Sequence, residues 1–416
     1  MVTSIAAVLA TVIGTASCST MDTVEGDNVL TLVASGEDPA RAVIAEFEKA
    51  NPGIRVRAVF TEDDGAYSQQ IRTQLAAGTA PDVFRIWPGN GGSVSVGALS
   101  EQGLLSPLTG APWEKKLTEG QRTVSADADG NLVALPVTIG GIGAIWNDQA
   151  LADTGLTKPT TWSELLKLCA DARRQGKVAL ALGQKDSWVG QLVPYALSAS
   201  LVYGRDPGFA ERQQQGRADF QDSAWRQTLN KYLSLRDHDC FNDSPNGTGY
   251  DEQMAMVGTG KALGAVHVTQ AVGAAKEKAT KGTTFSLSPL PATDDPGQTR
   301  VPVAVGISYA VNAKAHRPEL ARKFIDFLAT EQAQATYAKV SGNAPALPSP
   351  DFKEDAVSGP VLAAQRDGRS TGYPDQSWPS PKIQQEMLIG LQELMSGAVD
   401  SGDLLRRMDD VYRRTR

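Results

Sequence analysis

Histidine is scarce in this 416-residue chain: there are three, at positions 238, 267 and 316. They lie too far apart for the close ligand spacings of zinc sites, and no His-Glu-x-x-His helix can be written with them. Basic residues do not cluster with aromatics, and the net charge is −7, so the electrostatic footprint of a nucleic-acid binder is missing. There is no phosphate-binding glycine loop. No internal repeat or low-complexity block occurs. The apolar and charged fractions, 41% and 21%, are those of a globular chain and not of a disordered one. Single cores stop growing near roughly 250 to 300 residues, so the length suits two compact lobes.

Long apolar runs are also absent. The first stretch, Val2 to Ser17, is nearly charge-free but too short to span a bilayer. It closes on Thr15-Ala16-Ser17-Cys18, small residues followed by cysteine, which resembles the lipobox of a bacterial lipoprotein after a secretory signal. On that reading residues 1–17 are a signal peptide, Cys18 is lipidated and residues 18–27 form a tether. Met1-Val2-Thr3-Ser4 lacks the Lys or Arg that a signal peptide carries, a departure that an upstream start would explain. Setting Cys18 aside leaves Cys169 and Cys240, an even count that permits a disulfide in an oxidising compartment. Cys169, four residues after Leu165 on a predicted helix face, fits a buried thiol equally well.

From Val29 onward, short β-rich runs alternate with amphipathic helices. Val29 to Ala34 reads as a strand. Asp38 before Pro39 reads as an N-cap with proline at the first helical position, and the helix ends at Asn51-Pro52-Gly53. A second strand covers 54–60, a helix 67–77, and a third strand 81–87. The apolar run 132–146 is broken by Pro136 and Gly140-Gly141. Thr161-Trp162-Ser163-Glu164 forms a capping box. Val178 to Leu182, Ala262 to Val266 and Phe285 to Leu287 are further strands. Leu320, Phe324 and Phe327, then Ile383 to Met395, then Leu404 to Tyr412, line core-facing helix stripes. Such alternation predicts an α/β fold with a largely parallel sheet covered on both faces.

Several segments together resemble the extracellular solute-binding proteins of ABC importers, the family of maltose-binding protein. They are Leu75-Ala76-Ala77-Gly78-Thr79-Ala80-Pro81-Asp82-Val83, then Asn131 to Pro136 followed by Ile145-Trp146-Asn147, then Pro159-Thr160-Thr161-Trp162-Ser163-Glu164, then Gly258-Thr259-Gly260-Lys261-Ala262, and Val305-Gly306-Ile307-Ser308-Tyr309 to Leu328. Their order and spacing carry the resemblance. It implies a type II periplasmic-binding-protein-like fold with two lobes, each a mixed, mostly parallel sheet flanked by helices. Three hinge crossings fall near 136–139, 300–303 and 342–345. Lobe 1 would take 28–137 plus 303–342, and lobe 2 would take 138–302 plus 343–416.

The same resemblance implies a carbohydrate ligand in the interlobe cleft, an ABC permease as partner, no chemistry on the ligand, no cofactor and a monomeric, lipid-anchored protein on the outer face of the cytoplasmic membrane. Sugar recognition needs flat apolar platforms and fixed polar groups. Trp87 and Asn90 follow a predicted strand directly, where α/β ligands sit, and the family places an aromatic there. Trp188 and Trp378 resemble the family's other platforms, although either could cap the core. Glu37 and Asp38 end the first strand, Asp38 with a competing capping role. Asp63 and Asp64 are acids ahead of a helix, the usual place for solvated N-terminal charges. His267 follows a strand, as a contact or as an ordinary hydrogen-bonded histidine. Gly306 and Ser308 could bring backbone to the ligand, and Asn343 could reach it from the third crossing. Trp113, Trp146, Trp162 and Trp225 are assigned to packing.

Two other functions fit parts of this pattern. A secreted glycoside hydrolase would set two carboxylates about 5 to 9 Å apart across a cleft, and would have no hinge crossings. A binding protein that signals to a membrane receptor would use the same ligand chemistry. An amino-acid ligand would want a positioned Arg; Arg85 and Arg205 are available.

Overall fold

A computed structural model describes residues 26, 28–61 and 64–416. Cys18, the leader and Asp63 lie outside the described residues.

The first sheet has the order β2-β1-β3-β10-β4. Its strands are β1 (Val29–Ser35), β2 (Arg55–Thr61), β3 (Val83–Ile86), β4 (Ala134–Pro136) and β10 (Ser308–Val311). The second sheet runs β12-β9-β5-β7-β6, with β8 and β11 also paired to β5. These strands are β5 (Thr138–Asn147), β6 (Val178–Leu180), β7 (Ala262–Val268), β8 (Phe285–Ser288), β9 (Val301–Val305), β11 (Ala344–Pro345) and β12 (Ser370–Thr371).

The helices follow from the stripes in the sequence. Glu37–Ala50 buries Ala40, Val43, Ile44 and Phe47. Trp162–Arg174 starts at the expected capping box: Thr161 Oγ1 accepts from the Glu164 amide at 3.2 Å, and Glu164 Oε2 accepts from the Thr161 amide at 3.2 Å. One expected start is different. Gly36, with φ of 81°, precedes the first helix, and Glu37 and Asp38 both lie in its first turn. Asp38 is therefore no N-cap. Gly36 takes the cap position in a left-handed conformation that suits glycine, and the two acids meet the positive end of the helix dipole.

The sheets are mixed, and antiparallel pairs exceed the expectation of a mostly parallel arrangement. β1 pairs parallel with β2 and β3, and β6 with β7. β10 is antiparallel to β3 and β4, and β5 is antiparallel to β7, β8 and β9. Parallel neighbours need a long crossover, usually a helix. Strands β5 and β10 are each entered directly from a strand of the other sheet, through Val137 and through Gly306-Ile307, so they run against their helix-linked neighbours.

Those two passages and the segment 342–345 carry the chain between the sheets. The middle passage lies later than the expected 300–303, because β9 pairs with β12 at Val301 and Pro302 and stays paired with β5 through Val305. Pro345 closes the third passage by pairing with Thr138.

Each sheet has its own core. Phe47, Leu135, Tyr309, Phe324 and Leu328 pack around the first. Trp146, Leu165, Trp225, Leu263, Leu391 and Met408 pack around the second. Trp113 and Trp146 join the packing as assigned, and each indole N–H finds a partner: Asp326 Oδ1 at 2.9 Å and Ser288 Oγ at 2.8 Å. Cys169 and Cys240 are disulfide-bonded, with Cα atoms 4.7 Å apart. Closing a loop of 71 residues restricts the unfolded chain by about 4 kcal/mol in the chain-entropy account. The bond ties helix Trp162–Arg174 to the chain that follows helix Trp225–Asp237.

Candidate ligand-binding cleft

The carboxyl ends of β1 and β3 and the loop after β2 face loops of the second sheet across a cavity of about 810 Å³. From the first lobe it is lined by Ser35, Gly36, Pro39, Asp64, Arg85, Ile307 and Tyr337. From the second it is lined by Lys185, Asp186, Trp188, Gly247, Gln270 and the stretch from Gly249 to Glu252, with Ser341 and Asn343 at the third crossing. The ends of parallel strands leave backbone and short polar side chains pointing into such a crevice.

Trp188 lines the cavity from the second lobe. It is 41% exposed, the one tryptophan of the described residues with so much of its surface open. It is held from behind by two rings, Tyr250 at 5.5 Å and His267 at 5.2 Å between centroids. Its loop is tied down by Asp186, whose Oδ2 accepts from the Tyr250 amide at 2.7 Å.

His267 does not face the cavity. It is fully buried, and Nδ1 accepts from the Val268 amide at 2.9 Å, which leaves the proton of the neutral ring on Nε2. Burial pushes its pKa down from the ordinary 6.5 to about 3, and an Nδ1 that accepts from an amide is not free to take a proton. The ring is a neutral support for Trp188 and does not line the cavity, where it was expected.

On the opposite wall, Arg85 and Trp87 project from the same side of the third strand. The Arg85 guanidinium lies 4.6 Å from the Trp87 ring centre, and Tyr67 packs on that ring at 5.5 Å. Trp87 is half-buried between them, so it is a backing for Arg85 more than an open platform. Arg85 Nη1 donates to Asp64 Oδ1 at 2.6 Å and also to Ser35 Oγ; Ser35 Oγ in turn donates to the same carboxylate oxygen at 2.5 Å. Burial works against the charge of Arg85, but Asp64 and the nearby tyrosines outweigh it and hold its pKa above the ordinary value.

The remaining expected residues divide. Asn343 lines the cavity, with Oδ1 accepting from Thr269 Oγ1 at 2.8 Å. Gly306 and the buried Ser308 flank Ile307, which does line it. Glu37 and Asp38 are exposed on the helix surface while their neighbours Gly36 and Pro39 reach the cavity; Glu37 is paired with Arg41 instead.

Asn90 and Trp378 meet each other, not the cavity. Asn90 Nδ2 donates to the Trp378 carbonyl at 2.8 Å, and Asn90 borders a second interlobe hollow of about 990 Å³ with Gly89, Arg300 and Gln376. The Trp378 indole is 1% exposed, packed edge-on to Tyr195 at 6.2 Å and to Phe220 at 5.6 Å. It belongs to the core of the second lobe and offers no open face to a sugar, contrary to the expectation for it. The residue that follows a short 3₁₀ turn, Pro374–Ser377, is turned inward because an aromatic nest of Tyr195, Phe220 and Trp225 awaits it there.

Arg85, Ser35 and Tyr250 were not singled out for a carbohydrate site. Arg85 had a visible signal, a lone charge in the apolar strand Val83-Phe84-Arg85-Ile86-Trp87, in phase with Trp87. Tyr250, directly after Gly249 at a helix start, carried none.

A nucleophile spacing is also present: Gly368-Arg369-Ser370-Thr371-Gly372 fits Gly-x-Ser-x-Gly. Ser370, however, lies on β12, a two-residue edge strand paired with Val301, and not on a strand-to-helix elbow. The ring hydrogen bonds of His238 and His267 go to Ser234 and Val268.

A model of the bacterial extracellular solute-binding protein family matches residues 34–335, and the chain belongs to that family. A multiple sugar-binding protein of Streptococcus mutans is 22% identical over 308 residues, 73% of this chain and 70% of that protein. Among solved structures, a chitin oligosaccharide binding protein is 22% identical and superposes with a TM-score of 0.76 over 93% of this chain and 98% of that one. A sugar transporter protein of Bacillus licheniformis in complex with stachyose is 17% identical, with a TM-score of 0.74 over 93% and 100% of the two chains. The fold is the type II periplasmic-binding fold: α/β, with two mixed sheets flanked by helices.

Proposed function

We propose that this protein captures a carbohydrate in the cleft between its lobes and presents it to the membrane subunits of an ABC importer, without chemical change. The observation that carries this reading is the exposed Trp188 indole facing the polar wall of Ser35, Asp64 and Arg85 across the cavity. An indole covers the C–H face of a pyranose, and fixed donors and acceptors satisfy its hydroxyls, which an apolar pocket alone would leave unpaired. The names of the relatives, a multiple sugar-binding protein and a stachyose complex among them, support the same class of ligand.

In this reading residues 28–137 with 303–342 form one lobe and 138–302 with 343–416 the other, apart from the shift of the middle passage to Gly306-Ile307. The lobes close on the ligand by rotation at the three passages, and the permease reads the closed form. Cys18 carries a lipid that keeps the monomer at the outer face of the membrane, with residues 18–27 as tether. The test is a thermal-shift screen of glucose, galactose, raffinose, stachyose and chitin oligosaccharides, with amino acids as controls. A sugar present at 100 times its Kd stabilises the folded state by about 2.7 kcal/mol. Stabilisation by an amino acid and by none of the sugars would reject the proposal.

A further inference from the structure

Carbohydrate capture as such gives no task to one buried cation. The Arg85 side chain is 9% exposed, while its partner Asp64 is 59% exposed on the cavity wall. We infer that Arg85 is a positioning residue that presets Asp64 as a hydroxyl acceptor opposite Trp188, which makes the cleft selective for neutral over anionic sugars. This rests on the carbohydrate reading of the same cleft.

Both bonds to Asp64, from Arg85 Nη1 and from Ser35 Oγ, fall on Oδ1. An exposed carboxylate would otherwise sample several rotamers. Held through one oxygen from two directions, it keeps the other oxygen, Oδ2, in a fixed place at the wall. The holder is itself fixed. Trp87 lies against the guanidinium at 4.6 Å, and the Tyr67 hydroxyl donates to the Arg85 carbonyl. Ser35 ends the first strand, so its Oγ is placed by the sheet.

A pair kept only for stability would be an expensive choice here, because a buried cation must recover its desolvation cost from a single ion pair with an exposed carboxylate. A carboxylate offered to ligand has a use for that geometry. Its chemistry accepts hydrogen bonds from the hydroxyls of a neutral ring. The same oxygen repels a uronic acid carboxylate, and the charge of Arg85, whose Nη1 bonds Asp64, is offset by it.

The experiment is calorimetric titration of galactose, raffinose, stachyose and glucuronate into the wild type, D64N, R85Q and the D64N/R85Q double variant. A lost hydrogen bond to a charged group corresponds to roughly 10- to 100-fold in affinity. D64N should therefore weaken the best neutral sugar by about that factor, and the wild type should bind it well and glucuronate not at all. If Arg85 acts through Asp64, R85Q weakens binding in the wild type but adds little to D64N, since coupled residues are non-additive.

Equal losses from R85Q in both backgrounds overturn the positioning role, as does unchanged affinity in D64N or binding of glucuronate as tight as that of galactose. Should R85Q fail to fold, R85K takes its place in the cycle, keeping the charge without the planar fork. A wild type that binds none of these sugars and none of the others in the thermal-shift screen overturns the carbohydrate reading itself, a result separate from any difference among the variants.

Discussion

The Trp188 indole stands edge-on to the His267 imidazole, with centroids 5.2 Å and planes 87° apart, so one ring faces the cleft while the other is sealed beneath it. Trp188→Ala should remove the platform and leave both cores untouched. Truncating a central aromatic anchor costs about 2 kcal/mol or more in binding, roughly 30-fold in Kd. Melting temperature without ligand should stay near that of the wild type. Calorimetry with the best sugar checks this, and undiminished affinity would assign the exposed indole some other task.

His267 also makes a statement about pH. The unfolded imidazole takes a proton near 6.5, and the buried ring resists until about 3. Between those values the unfolded state binds more protons, so stability falls as pH drops through that window, with a slope of at most about 1.4 kcal/mol per pH unit. Asp375 and Asp409, both raised to about 6 chiefly by burial, act in the opposite sense, but they do so equally in wild type and variant. His267→Gln removes only the histidine contribution. Melting curves between pH 7 and pH 4 should therefore move in favour of the variant as the solution is acidified. Parallel curves would contradict the buried neutral ring.

Trp378 offers a way to separate core from cleft. Its ring is packed by Tyr195, Phe220 and Trp225. Trp378→Ala should cost about 3 to 5 kcal/mol of stability, visible as a lower denaturation midpoint. Sugar affinity of the fraction that stays folded should change little. A large loss of affinity with stability intact would restore Trp378 to the binding surface.

The contrast between Trp188 and Trp378 shows what the sequence can and cannot say. Both follow short loops, and both could serve as platforms or as core. Periodicity settles an indole on a helix stripe, as for Trp225, because neighbours at 3.6 spacing declare the face. An indole in a loop has no such neighbours. Its direction is decided by residues distant in the chain, here Phe220 for Trp378 and His267 for Trp188. Helix Trp162–Arg174 and its capping box were legible because every signal is local. The antiparallel placement of β5 and β10 was not, since it depends on which sheet the preceding strand belongs to. Arg85 shows the intermediate case: the strand phase that aligns it with Trp87 was readable, but its pairing with Asp64, across 21 residues, was not.

Gly89 lies at a close contact between the lobes. It sits at a φ of 56° with its amide donating to the Val124 carbonyl at 2.7 Å. A Cβ there would lie 2.4 Å from the Gln376 carbonyl oxygen on the other lobe, far inside contact distance. Only glycine combines that backbone conformation with so close an approach. Beside it the Asn90 amide donates to the same carbonyl at 3.3 Å and its side chain to the Trp378 carbonyl. Gly89→Val must therefore push the 374–378 turn away, and the hinge passages are the softest path for that displacement. Small-angle scattering of the ligand-free variant should give a larger radius of gyration than the wild type. Sugar affinity should fall, because part of the binding energy then goes into closing the lobes against the added side chain. Identical scattering curves for the two proteins would show that this loop contact has no part in setting the interlobe distance.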